Sequence, residues 1–158
     1  MTKRTTPEEQ LPSIAQGKSW GELPVGWKAR TGRRTVTESD LVAFISATGM
    51  LELIFTDTDH EGAIGGRPVP AALTYGFIEG MQMQTLVQGT GLALLEVHMV
   101  VDAPVRVGDS VWGVIEVIVV RPTSKGNRAV VTFLVTVFNQ AGEQVMHYEV
   151  KRLIAGRE

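Results

Sequence analysis

The sequence predicts an α+β fold in which one long central helix is wrapped by a curved antiparallel sheet. Three observations carry that expectation. The segment "AALTYGFIEGMQMQTLVQG" after Pro70 is apolar almost all round, and a helix apolar on every side is buried on every side. Four strand-like runs follow it, at 92–101, 111–120, 130–139 and 143–153, rich in β-branched residues and parted by the turn signals "VGDS", "RPTSKGN" and "NQAGE". Only a sheet that curls around the helix covers all of its sides.

In chain order, residues 1–26 are polar and broken by Pro7, Pro12 and Pro24. They are expected to form a weakly ordered arm, laid on a partner surface through Trp20 and Trp27. Residues 27–158 form the single domain, opening with a short strand over 28–35. Thr37 then starts "TESD", where a hydroxyl cap and first-turn acid favour a helix. Leu41, Phe44 and Ile45 share one side of it, and Gly49 stops it. The stretch 50–69, with Gly62, Gly65, Gly66 and Pro68, is irregular.

The central helix spans 71–88, about 18 residues and roughly 27 Å. Ala72, Gly76 and Gly80 lie four apart, a small stripe that lets a sheet backbone approach. Met81 and Met83 read as core packing. Along 111–120, Trp112, Val114 and Ile118 make the outer face too apolar for solvent, which points to a subunit interface. In the last strand Met146, Tyr148 and Val150 face inward, and His147, Glu149 and Lys151 outward.

At 158 residues with a net charge of −2, the chain fits one domain. It has no basic face that would follow nucleic acid. Cysteine is absent, which removes disulfides, thiol catalysis and thiolate metal sites. With no apolar run of signal-peptide or membrane-span type, a cytoplasmic protein without a membrane partner is expected.

The pieces "TVTESDLVAFISATG", "GGRPVPAALTYGF" and "APVRVGDSV", in this order and spacing, resemble the MaoC-like branch of the hotdog superfamily, which contains the R-specific enoyl-CoA hydratases and related dehydratases. The resemblance covers about residues 27–155. It implies the hotdog fold, a dimer made by joining sheets or a higher assembly of dimers, an acyl-CoA or other acyl-thioester as ligand, and no cofactor. In that family the loop after the first helix reads Gly-Asp, a spacer, Asn-Pro, an apolar residue and His. The Asp and His form the hydration dyad. Here Gly49 matches the glycine, but Met50, Glu52, Leu53 and Phe55 stand at the Asp, Asn, Pro and His positions, and Asp57 matches an acid read as structural. The family's His-Gly, whose glycine amide donates to the thioester carbonyl, is replaced by Pro70 and Ala71. Ala71 keeps an amide at a helix start, where negative charge is favoured.

Met50, Phe55, Pro70 and Ala71 therefore line the implied substrate site with Gly49. Three functional readings follow: a hydratase or dehydratase with lost or altered catalysis, a non-catalytic subunit of a heteromer whose partner carries the intact dyad, or a thioesterase. The last would use Glu52, its carboxyl raised by apolar Met50 and Phe55. His60, with Asp57, Asp59 and Glu61, offers either proton-transfer groups, a metal cluster or simply solvated charge. Arg67, Lys125 and Arg128 are cations for coenzyme A phosphates, although a solvated turn explains the last two equally. Tyr75, Phe77 and Met81 either limit acyl depth or pack the core.

Overall fold

The computed structural model describes residues 13, 15–63 and 65–157. Pro7 and Pro12 of the arm lie outside them. The first helix, α1 (Glu38–Thr48), begins where the sequence places it. Thr37 accepts from the amide of Asp40, Asp40 accepts from the amide of Thr37, and Gly49 closes the helix at φ +75°. A short helix, α2 (Leu53–Thr56), follows, and then the central helix, α3 (Ala71–Met83).

The strands are β1 (Lys28–Arg30), β2 (Arg34–Thr35), β3 (Gly91–Val101), β4 (Ser110–Pro122), β5 (Arg128–Phe138) and β6 (Gln144–Ala155). Their order in the antiparallel sheet is β1-β4-β5-β6-β3, with β2 also on β4. The inward residues Val111, Ile115, Val117, Phe133, Val135, Met146, Tyr148 and Val150 are buried with Leu73 and Ile78 of α3 and Leu41 and Ile45 of α1.

Several expectations need correction. The central helix stops at Met83 rather than Gln88, and turns carry the chain to Thr90. One side of it is covered, by Leu73, Thr74, Ile78, Glu79 and Gln82, while Gly76 is exposed. A Cβ added at Gly76 or Gly80 would meet nothing within 4 Å, so the small stripe faces away from the sheet. The close approach comes from the sheet instead, where a Cβ on Gly113 would stand 3.2 Å from Ile78. Met83 is 45% exposed, and only Met81 packs on the core.

Residues 17–27 are docked on this chain's own surface. The amides of Gly17 and Lys18 donate to the carbonyls of Gln88 and Leu86, both at 2.8 Å. Leu23 is fully buried, Trp20 donates to Asn127 (3.0 Å), and Trp27 packs on the core.

The interface expectation shifts as well. Trp112 is half-buried, stacked on Phe138 (centroids 5.0 Å apart) with the Arg33 guanidinium over its ring. The bare apolar surface is β3, which is exposed along its whole length and, among the described residues, pairs only with β6. Leu92, Leu94, Leu95, Val97, Met99, Val100 and Val101 there are 38–53% exposed.

Candidate functional site

The loop between α1 and α3 builds itself from its own polar groups. Glu52 precedes α2 with its side chain exposed and uncapping, while its carbonyl accepts from the Phe55 amide (2.9 Å) and the Thr56 hydroxyl (3.1 Å). Asp57 accepts from the amide of Asp59 at 2.9 Å, an Asx-turn. His60 Nδ1 accepts from the amide of Gly62 at 3.1 Å, leaving the other ring nitrogen to carry the proton. Arg67 donates to the Phe55 carbonyl (3.3 Å) and pairs with Glu38 of α1, so it ties α2 to α1.

These bonds account for Asp57, His60 and Arg67 structurally. Arg67 already has a carboxylate partner, and the Glu52 side chain is exposed rather than enclosed by Met50 and Phe55. Among the described residues no group of three or more His, Cys, Asp or Glu side chains is placed to hold a metal ion.

What the loop presents outward is apolar. Met50, Leu51 and Leu53 are 41%, 64% and 57% exposed, while Phe55 turns half inward onto the core. Buried Pro70 caps α3, and Ala71 behind it is half-buried. The Ala71 amide, in the first helical position, has no intrahelical acceptor available. Beside it, Thr74 places a buried hydroxyl with no partner among the described residues against a cavity of about 30 Å³ lined also by Ala71, Val101 and Met146, room for one water.

Lys125 and Arg128 sit at the wrong end for this site. The Ala71 end of α3 lies by Met146, whereas Arg128 pairs with Ala155, about 30 Å away along β6 at 3.3 Å per residue. They hold their own turn together, with Arg128 donating to the Lys125 carbonyl (3.3 Å).

Residues 24–148 match the family model described as FAS1-like, dehydratase domain region. The chain belongs to that family. Among solved structures, this dehydratase-region chain is similar to a MaoC-like dehydratase from Rhodospirillum rubrum, with 21% identity and a TM-score of 0.78 over 90% of this chain and 99% of that one. It is similar also to an unliganded R-hydratase from Pseudomonas aeruginosa (27% identity, TM-score 0.71, 89% and 86% covered). A third likeness is to a chain of the ChsH1–ChsH2 complex from Mycobacterium tuberculosis (18%, 0.65, 85% and 98%). No curated protein matches the chain. The fold is the hotdog fold. Among the described residues no helix is long and apolar enough to cross a membrane.

The dehydratase-region chain also carries a polar cluster that the sequence reading missed. Glu79 on α3 pairs with Arg152 of β6, and both are buried. The other carboxylate oxygen accepts from the Tyr148 hydroxyl (2.8 Å) and from Gln82 (3.0 Å), and Gln82 donates to Tyr148 as well (3.0 Å). Burial, followed by the Glu79 charge, pushes Tyr148 far above its ordinary value, and the same two causes raise Tyr75. The signal was present: continuing the inward alternation from Met146 puts Arg152 on the core face.

His147 lies at the surface as expected, with Nδ1 at 2.8 Å from Asp102 and at 3.2 Å from Gln144. Hydrogen bonds from His147, then Gln144, hold Asp102 below the usual carboxylate range.

Proposed function

We propose that this chain binds an acyl-thioester, as acyl-CoA or on another carrier, and has lost the hydration chemistry of its branch. The observation that carries this is the pairing of apolar Met50 and Phe55 at the dyad positions with a surviving helix-start amide at Ala71. A donor that polarises a thioester carbonyl is retained, and the groups that would move protons next to it are replaced. The bare β3 edge supports a dimer formed by strand pairing, since an unpaired apolar edge is a template for another strand. The lack of cysteine fits a cytoplasmic setting.

A second reading is favoured by the exposed Met50, Leu51 and Leu53 next to the site: this chain is the non-catalytic subunit of a heteromer whose partner carries an intact dyad. One structural neighbour comes from a two-protein complex. Hydrolysis by Glu52 has less support, because the side chain is exposed. An unchanged hydrolysis rate in Glu52→Gln removes it.

The test is a binding and turnover measurement with a short enoyl-CoA. Binding without hydration at an ordinary enzyme rate, about 1–10³ per second, is the expected outcome. A positioned acid or base contributes roughly 10²–10⁴-fold, and groups acting as a unit are not additive. Met50→Asp with Phe55→His should therefore raise hydration measurably, with either change alone doing little. A wild-type rate in the ordinary range overturns the proposal and makes Glu52, Asp57 and His60 the next residues to replace.

A further inference from the structure

We infer that the space beneath the docked arm, beyond the end of α3, is a second small-molecule site, which takes a compact carboxylate with an aromatic body. It stands independently of the thioester reading of the Ala71 end.

The site is a cavity of about 320 Å³ between the arm, β1, β4 and the turns that follow α3. Trp27, Ala29, Leu86 and Ile115 supply its apolar wall, while Lys18, Glu22 and Arg157 bring charge to it. Its roof is built rather than loose. The amides of Gly17 and Lys18 hold the arm to the carbonyls of Gln88 and Leu86. A Cβ on Gly17 would stand 2.5 Å from the Gln88 amide nitrogen and 2.7 Å from the Leu86 carbonyl oxygen. The arm seats this closely because residue 17 is glycine. Arg157, after β6, donates to the Gly17 carbonyl and to Glu22 (3.1 Å), which locks the roof from the other side.

The charges choose the ligand. Glu22 is already occupied, accepting from the amide and hydroxyl of Ser19 (2.8 and 2.9 Å) and from Arg157. Lys18 forms no ion pair among the described residues, and its ammonium lies 5.9 Å from the centre of the Trp27 ring. Arg30 also borders the cavity. Alternation along β1, however, turns half-buried Ala29 inward and exposed Arg30 to the other face, so Lys18 is the donor for the head group. A cationic ligand would meet two cations and a carboxylate already neutralised. A carboxylate accepts a charge-assisted hydrogen bond from Lys18 while its body lies against Trp27, Leu86 and Ile115. Size sets that body. An apolar cavity of about 150 Å³ holds benzene, so this one has room for two fused rings, and Trp27 gives them an aromatic neighbour.

The probes are 2-naphthoate and its neutral counterpart 2-naphthylmethanol, titrated into the full chain by calorimetry. The acid should bind roughly tenfold more tightly, the size expected of one hydrogen bond to a charged group. Lys18→Met keeps the length of the side chain without its charge, and should erase the preference while leaving the affinity of the alcohol unchanged. Ala29→Phe fills the cavity from β1 and should abolish binding of both. If that variant fails to fold, Lys18→Met decides alone, because the Lys18 side chain has no partner but the Trp27 ring. Decanoate has similar bulk but cannot stack, and should bind several-fold more weakly than 2-naphthoate. Decanoate binding as tightly overturns the aromatic part of the assignment. Absence of 2-naphthoate binding at millimolar concentration, equal affinity for acid and alcohol, or a preference that survives Lys18→Met overturns the site itself.

Discussion

The two ends of the central helix solve opposite problems. At its start, Met50 and Phe55 are apolar, Met50 is exposed, and the polar side chains Asp57, His60 and Arg67 are committed to holding their own loop. Toward its other end, Glu79, Gln82, Tyr148 and Arg152 are buried together, where polar groups are most costly. The end that resemblance marks as reactive carries little polar chemistry aimed outward. The end that hydrophobicity marks as inert core carries a buried charge pair and its hydrogen-bonded network.

The largest effect should come from breaking the buried pair. Glu79→Ala leaves Arg152 as an uncompensated charge, and losses of about 3–5 kcal/mol are typical of such changes. Replacing both, as Glu79→Gln with Arg152→Met, should recover most of that loss, because the desolvation cost disappears with the charges. Urea unfolding of the two variants decides it. If the single variant unfolds at the wild-type midpoint, the cluster is not the structural element that its burial indicates.

The contrast also shows what was legible in the sequence. The four long strands, their turns, the α1 cap at Thr37 and the stop at Gly49 were readable, because period, capping chemistry and glycine act locally, whereas the one strand expected over 28–35 is two, broken at 31–33. The length of α3 was not. "QMQTLVQG" keeps an apolar pattern after the helix has ended, because Leu86 and Val87 are buried from turns rather than from a helix. The stripe of Ala72, Gly76 and Gly80 was visible but assigned the wrong partner, since spacing tells which residues share a face and not what the face meets. For β3 the sequence marked a strand but not its place at the edge of the sheet, so the expected interface was put on Trp112, Val114 and Ile118 instead. At the candidate loop, residue identities were readable through resemblance. That Arg67 reaches Glu38 and that Glu52 stays exposed depended on tertiary placement.

β3 links the two ends, running from beside Arg152 to the Ala71 end, so charging it tests whether a second chain completes both. Val97→Lys on the exposed edge should convert a dimer to a monomer in light scattering, with little change in unfolding of the monomer itself. A wild-type protein that is monomeric at micromolar concentration removes the strand-pairing argument.

A smaller effect separates the ends by pH on the alkaline side. Tyr148 and Tyr75 are raised in the folded protein, so their contribution to stability is fully present below the unfolded tyrosine value of about 10 and is lost as pH rises through it and beyond. The urea midpoint should fall above that pH. Tyr148→Phe should flatten the decline, at the cost of two buried hydrogen bonds, about 1 kcal/mol each. A decline as steep in the variant as in the wild type would assign it to other groups.

The smallest effect belongs to the opposite end and to acid. Asp102 follows β3, and its amide donates to Val145 (3.0 Å), a wall of the small cavity beside Ala71. Hydrogen bonds from His147 and Gln144 depress its folded value. Its contribution is therefore complete above the unfolded aspartate value, about 3.9, and disappears as pH falls through the lower folded one. Because the pair is open to solvent, salt should weaken it, which the Glu79–Arg152 pair should resist. Asp102→Asn should lower the urea midpoint slightly at pH 7 and not at all near pH 2, and added salt should shrink the difference. A loss at pH 7 as large as that in Glu79→Ala would erase the distinction between the two ends, and would mean that the Asp102–His147 pair anchors β3 as firmly as the buried network anchors α3.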